Sequence, residues 1–327
     1  MDIVALSIPT GIGAEIGGFA GDAGAIAREF SKYFKVIVNP NTVNAGILSA
    51  INDNMYYVEG YAFDEFFAGN LNLTPAKKQN KIGVIFDKQI PDDILNIHIN
   101  TINALKIVKG YDIPYFEITD KNVGISLIKD ETGVSSGRIE NENTLLRAAG
   151  ELIKKGCNAL AVVCFFGDEC EDESYNEGVG VDPIGGIEAV ISHYLVKKLM
   201  FPAAHSPAFS GLDIAYKKVN PKVASEFISS TYLPCILDGL NIAPQLSINK
   251  KEGVKNTDAK CLIVPDGALG SKAVLSCIKN EIEVCAVKNN VVLSIDCNKF
   301  KNNGIIKGIT KFSSYQECLN FIRNKYE

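Results

Sequence analysis

The chain has 327 residues, 46% of them hydrophobic and 22% charged, with a formal net charge of -5. That length exceeds one ordinary domain and leaves room for a sizeable core, and the average balance excludes disorder and fibrous repeats. The basic residues are scattered, so no stripe exists to neutralise nucleic-acid phosphates, and no apolar run approaches the ~20 residues that span a bilayer.

The first strand-like segment, 2–9, lacks a basic start and a small-residue cleavage site, so neither export nor a membrane partner is expected. The nine cysteines are odd in number and irregularly spaced, and they contain no C-x-x-C pair. Several, such as Cys157, Cys261 and Cys285, sit in or beside apolar runs. Reduced, packed thiols in a cytoplasmic protein fit this pattern best.

Short β-rich runs at 3–7, 36–38, 82–86, 159–164, 261–264 and 283–287 alternate with helical patterns. The expected fold class is therefore α/β, a largely parallel sheet with helices on both faces. Residues 92–109 carry Ile94, Leu95, Ile102, Leu105 and Val108 on one face, opened by an Asp cap and closed by Gly110. A second helix is announced by Asp182-Pro183, cap then first turn, with Ile184, Ile187, Ile191 and Leu195 on one face. The polar stretch 249–260 reads as a connector between a main domain, 1–248, and a small C-terminal α/β unit, 261–327. That unit is either a separate lobe or the far edge of the same sheet.

The first strand runs into a glycine-rich turn, 9–22, containing Thr10, Gly11, Gly13, Gly17, Gly18 and Asp22. At the carboxyl end of a strand, amides free of side chains can approach an anion, which makes this segment the expected ligand site. A dinucleotide fingerprint would need Gly where the chain has Ile16, and an acid where it has Asn39, so a nicotinamide cofactor is not expected. Asn39, Asn41 and Asn44 cluster after the next strand; carboxamides suit a carboxylate or hydroxylated ligand, though Asn also favours turns and caps. Glu59 and Asp64 are polar points in an apolar stretch and candidates for a general base, or else surface charges.

Three histidines occur. His98, on an apolar helix face, reads as a core imidazole. His193 lies near the polar margin of the helix after Asp182. His205, at the end of a strand-like run and followed by Ser206, is the acid–base candidate. The two are neighbours on an extended chain, which point opposite ways, and so do not form a Ser-His pair by themselves. Cys164 precedes an acidic run at 168–173, which would raise its pKa, so a buried thiol is the safer reading. Those acids, with His193 or His205, could instead hold a divalent cation. Ser135-Ser136-Gly137-Arg138 and the turn before Lys272 are minor anion-site candidates.

Thr10-Gly11-Ile12-Gly13-Ala14 with Gly17-Gly18 and Ala20-Gly21-Asp22-Ala23, Val58-Glu59-Gly60-Tyr61-Ala62, Gly180-Val181-Asp182-Pro183, Glu188-Ala189-Val190-Ile191-Ser192-His193 and Ala204-His205-Ser206-Pro207-Ala208 together resemble the DUF3326 family across most of the chain. The resemblance implies an intact unit of that kind and brings no assigned chemistry. It leads one to expect His where this chain has Asn39.

Three functional expectations follow. The leading one is general acid–base chemistry, hydrolytic or eliminating, on a small anionic metabolite held by the glycine-rich turn and the loops carrying Asn41, Asp182 and His205. His205 would move the proton with Glu59 or Asp64 as partner. The second is metal-assisted hydrolysis at His193, His205 and acids, and the third a non-catalytic metabolite sensor. A homo-oligomer is compatible with these residues.

Overall fold

The structure is a computed structural model that describes residues 1–8, 23–129, 135–166, 184–209, 218–221, 223–248, 252–288, 295–302 and 308–326. Ten of the strands form two all-parallel sheets. The first has the order β14 (Ile309–Phe312), β13 (Glu283–Val287), β12 (Ala259–Pro265), β1 (Ile3–Leu6), β2 (Lys35–Val38), β3 (Met55–Tyr57). The second has the order β10 (Ala203–Phe209), β9 (Ala159–Phe166), β5 (Ile82–Phe86), β6 (Tyr115–Ile118). Two antiparallel ribbons accompany them: β4 (Asn72–Thr74) with β11 (Gln245–Ser247), and β7 (Ile125–Lys129) with β8 (Ser135–Ile139).

The central strands read as unbroken apolar runs because both of their faces are covered. Every residue of β5 is buried, and so is all but one of β9. Alternation along the strands sorts the core into two layers. Leu6, Val38, Val84, Phe86 and Ala161 lie in one cluster, and Ala5, Ile37, Ile85, Leu160 and Val162 in the other. Each cluster draws on both sheets, so the sheets lie edge to edge in one layer with helices above and below. One face is covered by α1 (Gly24–Ser31), α4 (Asp92–Val108), α7 (Leu233–Ile242) and α10 (Tyr315–Tyr326). The other carries α3 (Gly60–Phe67), α5 (Glu142–Lys154), α6 (Gly185–Leu199), α8 (Lys272–Lys279) and α9 (Cys297–Asn302), while the short α2 (Pro40–Val43) follows β2.

The α/β class with helices on both faces is the observed one. Of the two readings of segment 261–327, the far edge of a shared sheet is what occurs: β12 pairs with β1, with Ala5 opposite Leu262 and Leu6 opposite Ile263. The chain opens the first sheet, builds the second, and returns to complete the first. The expected βαβ run of β12, α8 and β13 is present inside that sheet. In α4 the buried stripe is Ile94, His98 and Ile102, while Val108 is 79% exposed. The expected apolar face therefore ends a turn early, and Gly110 closes the helix at φ 70°.

The seam between the sheets is where the end of β3 meets the start of β10. A cavity of about 10 Å³ remains there, lined among others by Tyr57, Glu59, Pro202 and Ala203, with room for one water at most. Helix α7 packs against both strands. Its Gly239 lies under the Tyr57 ring, where a Cβ would come within 2.5 Å of the ring carbons. Among the described residues, no helix is long and apolar enough to cross a membrane.

Candidate functional site

The cluster at the seam begins with Glu59, the N-cap of α3. The helix is held by its buried face, Ala62, Phe63, Phe66 and Phe67, with the Phe67 ring tilted against Phe63 and edge-on to Phe66, its centroid 5.1 Å from each. Burial of such rings stabilises by roughly 1.5–3 kcal/mol each, which fixes the helix start. Caps are usually Ser, Thr, Asp or Asn. Here the longer Glu side chain caps with one oxygen, Oε2, which accepts from Tyr61 N at 2.8 Å and Ala62 N at 3.4 Å. Its other oxygen, Oε1, is left to reach a second helix.

That helix is α6. Its buried stripe of Ile187, Ile191, Leu195 and Val196 turns Ser192 inward and leaves His193 at the margin, its side chain 42% exposed. Ser192 Oγ donates to Glu59 Oε1 at 3.0 Å, and His193 Nδ1 makes an ion-pair contact with the same oxygen. Across from them, on β10, Ala204 and Ala208 point into one core layer and Ala203 into the other. Alternation therefore aims His205 at α6, where its Nδ1 lies 2.9 Å from Ser192 Oγ. Residues 59, 192, 193 and 205 thus share one network built from three elements.

The two imidazoles are driven apart electrostatically. Burial alone would lower the pKa of His193, but the Glu59 carboxylate, helped by Asp64, outweighs it and the net shift is upward. For His205, burial and then the neighbouring His193 push the pKa down to about 3, so the ring is neutral near pH 7. Asp64, one turn into α3, is raised by burial, offset in part by the Ala273 N–H it accepts at 2.9 Å and by His193 and Lys272. Beside it, Lys272 of α8 pairs with Glu65.

Of the residues expected at the site, Glu59, His193 and His205 come together and Asp64 lies close enough to act on His193. Glu59 differs from a free general base, because both its oxygens are engaged. Asn39 joins the end of β1: its Oδ1 accepts from Ile8 N at 3.0 Å and its Nδ2 donates to Ile8 O at 2.7 Å. Asn44 bonds the Tyr57 hydroxyl at 3.2 Å, and Asn41 sits within α2. Ser206 is buried with its hydroxyl 3.4 Å from Pro207 O. Thr10, Gly11, Gly13, Gly17, Gly18, Asp22, Asp182 and the acidic run 168–173 lie outside the described residues. His98 is a core residue, its Nδ1 2.9 Å from Thr231 Oγ1 and its Nε2 buried without a partner.

One residue of the network, Ser192, was not among the candidate site residues read from the sequence. The signal for Ser192 was a hydroxyl at an apolar-stripe position next to His193. Among the described residues, no group of three or more His, Cys, Asp or Glu side chains is arranged to hold a metal ion.

The family described as "Protein of unknown function (DUF3326)" matches residues 3–325. An uncharacterised lipoprotein of Synechococcus sp. is 36% identical over 292 residues, covering 87% of this chain and 81% of its own length. No solved structure matches.

Proposed function

We propose that this chain, which belongs to the DUF3326 family, is an enzyme acting on a small anionic metabolite by general acid–base chemistry of the hydrolase or lyase type. The carrying observation is the contact of His193 Nδ1 with Glu59 Oε1 on an imidazole that is still 42% exposed. A carboxylate beside Nδ1 favours the protonated form of the ring, so a group that begins near neutrality is moved upward and can give or take a proton at Nε2. His193 is therefore the proton carrier in this reading. His205, with its pKa near 3, is too weak a base for that role at neutral pH and acts as a neutral hydrogen-bonding partner.

The anionic character of the substrate rests on the imidazolium and on the glycine-rich run Gly11 to Gly21. A cytoplasmic setting is proposed from the eight described cysteines, all free and buried. The word lipoprotein belongs to the Synechococcus relative, and cell fractionation tests the point for this chain.

The test is a thermal-shift screen of small carboxylates and phosphates, with turnover assayed on each hit in the wild type and in His193→Asn. General acid–base groups contribute about 10²- to 10⁴-fold, so the variant should lose at least ~100-fold in kcat and, lacking the imidazolium, bind the anion more weakly. Tight binding with no turnover in the wild type makes the protein a sensor. Loss of turnover on chelation, with stoichiometric metal in protein purified without chelator, replaces the scheme by a metal-assisted one.

A further inference from the structure

Ser192 Oγ has a single proton and three polar neighbours: Glu59 Oε1 at 3.0 Å, Ala189 O at 3.2 Å and His205 Nδ1 at 2.9 Å. The carboxylate and the carbonyl can only accept. If the hydroxyl donated to His205, its lone pairs would face two oxygens at about 3 Å with no proton between them, a repulsive arrangement in a site where Ser192 is 1% exposed. Donation to Glu59 is charge-assisted. The remaining lone pair then requires a donor, and His205 Nδ1 is the atom in place.

We infer that Ser192 is a positioning residue that links His205 to Glu59 and fixes the His205 imidazole with its proton on Nδ1 and its lone pair on Nε2. The two imidazoles are thereby joined through one carboxylate oxygen and are not interchangeable. His193 meets Glu59 directly and is the group that charges; His205 meets it through a hydroxyl and stays a neutral acceptor. The charged groups that act on His193 are Glu59 and Asp64, at the start of α3, and His193 in turn acts on His205; Lys272 of α8 faces Asp64. Its functional consequence rests on the reading of His193 as proton carrier, but the tautomer itself is independent of any turnover.

The chain has only three histidines, so nitrogen-15 labelling of histidine in the full-length protein gives three ring systems, and His98, far from the network, reports on folding. In the wild type, His205 should show a protonated Nδ1 and an unprotonated Nε2 throughout pH 5–8, while His193 titrates within or above that range. In Ser192→Ala the Nδ1 signal of His205 should shift toward the unprotonated region, and Ser192→Thr should restore it, with His98 unchanged in both. A wild-type His205 protonated on Nε2 overturns the proposal, as does an unchanged tautomer in a folded Ser192→Ala. If Ser192→Ala disturbs His98, the wild-type tautomer alone decides. A correct tautomer alongside unimpaired turnover in His193→Asn would leave this inference standing and remove the reading of His193 as proton carrier.

Discussion

Gly60 lies directly under the imidazole of His193: a Cβ built at Gly60 would come within 2.7 Å of Cε1 and 3.2 Å of Nε2. Gly60 is not among the residues with positive φ, so its backbone does not require glycine. The close approach of the ring does. Gly60→Ala should therefore leave the fold near wild-type stability, because alanine suits a helix better than glycine by roughly 0.5–1 kcal/mol, while pushing the ring away from Glu59. A misplacement of about 1 Å can cost on the order of 100-fold in rate. The expected result is a lower titration midpoint for His193 and a depressed kcat. An unchanged midpoint would mean that the ring tolerates the methyl group.

Glu59→Gln tests what raises His193. With the carboxylate gone, burial is the dominant influence, and the midpoint should drop below the ordinary histidine value. The effect on stability has a definite sign. A folded-state pKa above the unfolded one stabilises at pH below the unfolded value, near 6.5, and that contribution disappears as pH rises through the folded value. The stability difference between wild type and Glu59→Gln should therefore be larger at pH 6 than at pH 9 in urea melts. A difference that grows with pH contradicts the assignment.

His98 carries the opposite dependence. It is 1% exposed and burial pushes its pKa from the usual 6.5 down to about 4. The unfolded chain thus binds a proton at pH values where the folded one does not, so stability is full above pH 6.5 and falls as pH drops toward 4. The expected loss is on the order of 3 kcal/mol. His98→Leu should remove that part of the slope while costing stability at pH 7 through the Thr231 contact. If the variant shows the same fall between pH 6.5 and 4 as the wild type, His98 is not the titrating group.

Much of this arrangement was legible in the chain because it depends on local pattern. The apolar runs at 82–86 and 159–164 announced doubly covered strands, and Ile187, Ile191 and Leu195 placed His193 at a helix margin. Glu59, His193 and His205 stood out as rare polar groups, but their meeting was not derivable. It depends on the edge-to-edge placement of two sheets, and no periodicity encodes which strand ends face each other. The role of Glu59 was hidden for a related reason. A carboxylate that caps its own helix with one oxygen and reaches α6 with the other looks like a surface charge until both partners are in place. Asn39 looked like a ligand group and instead completes the backbone of Ile8, since a carboxamide can both accept and donate. The return of β12 to β1 could not be told from a separate lobe, because both are β-strands followed by helices.

The thiols offer a test of the core itself. All eight described cysteines are free and buried; burial pushes Cys277 well up and, together with Asp266, Cys297 up to about 11. Cys285 departs from them: hydrogen bonds from Cys261 and Cys318 favour its ionised form and lower its pKa. Reactivity toward an alkylating reagent needs both thiolate and access, and Cys285 is 0% exposed. In the native protein the eight described cysteines should therefore stay unmodified, and all nine cysteines should be consumed only after unfolding in denaturant. Mass spectrometry of the labelled native protein should find Cys261, Cys285 and Cys318 unmodified. Labelling of Cys285 at a rate faster than global unfolding would show that α10 opens from β13 in the native state, since that helix supplies Cys318 and covers the sulfur row.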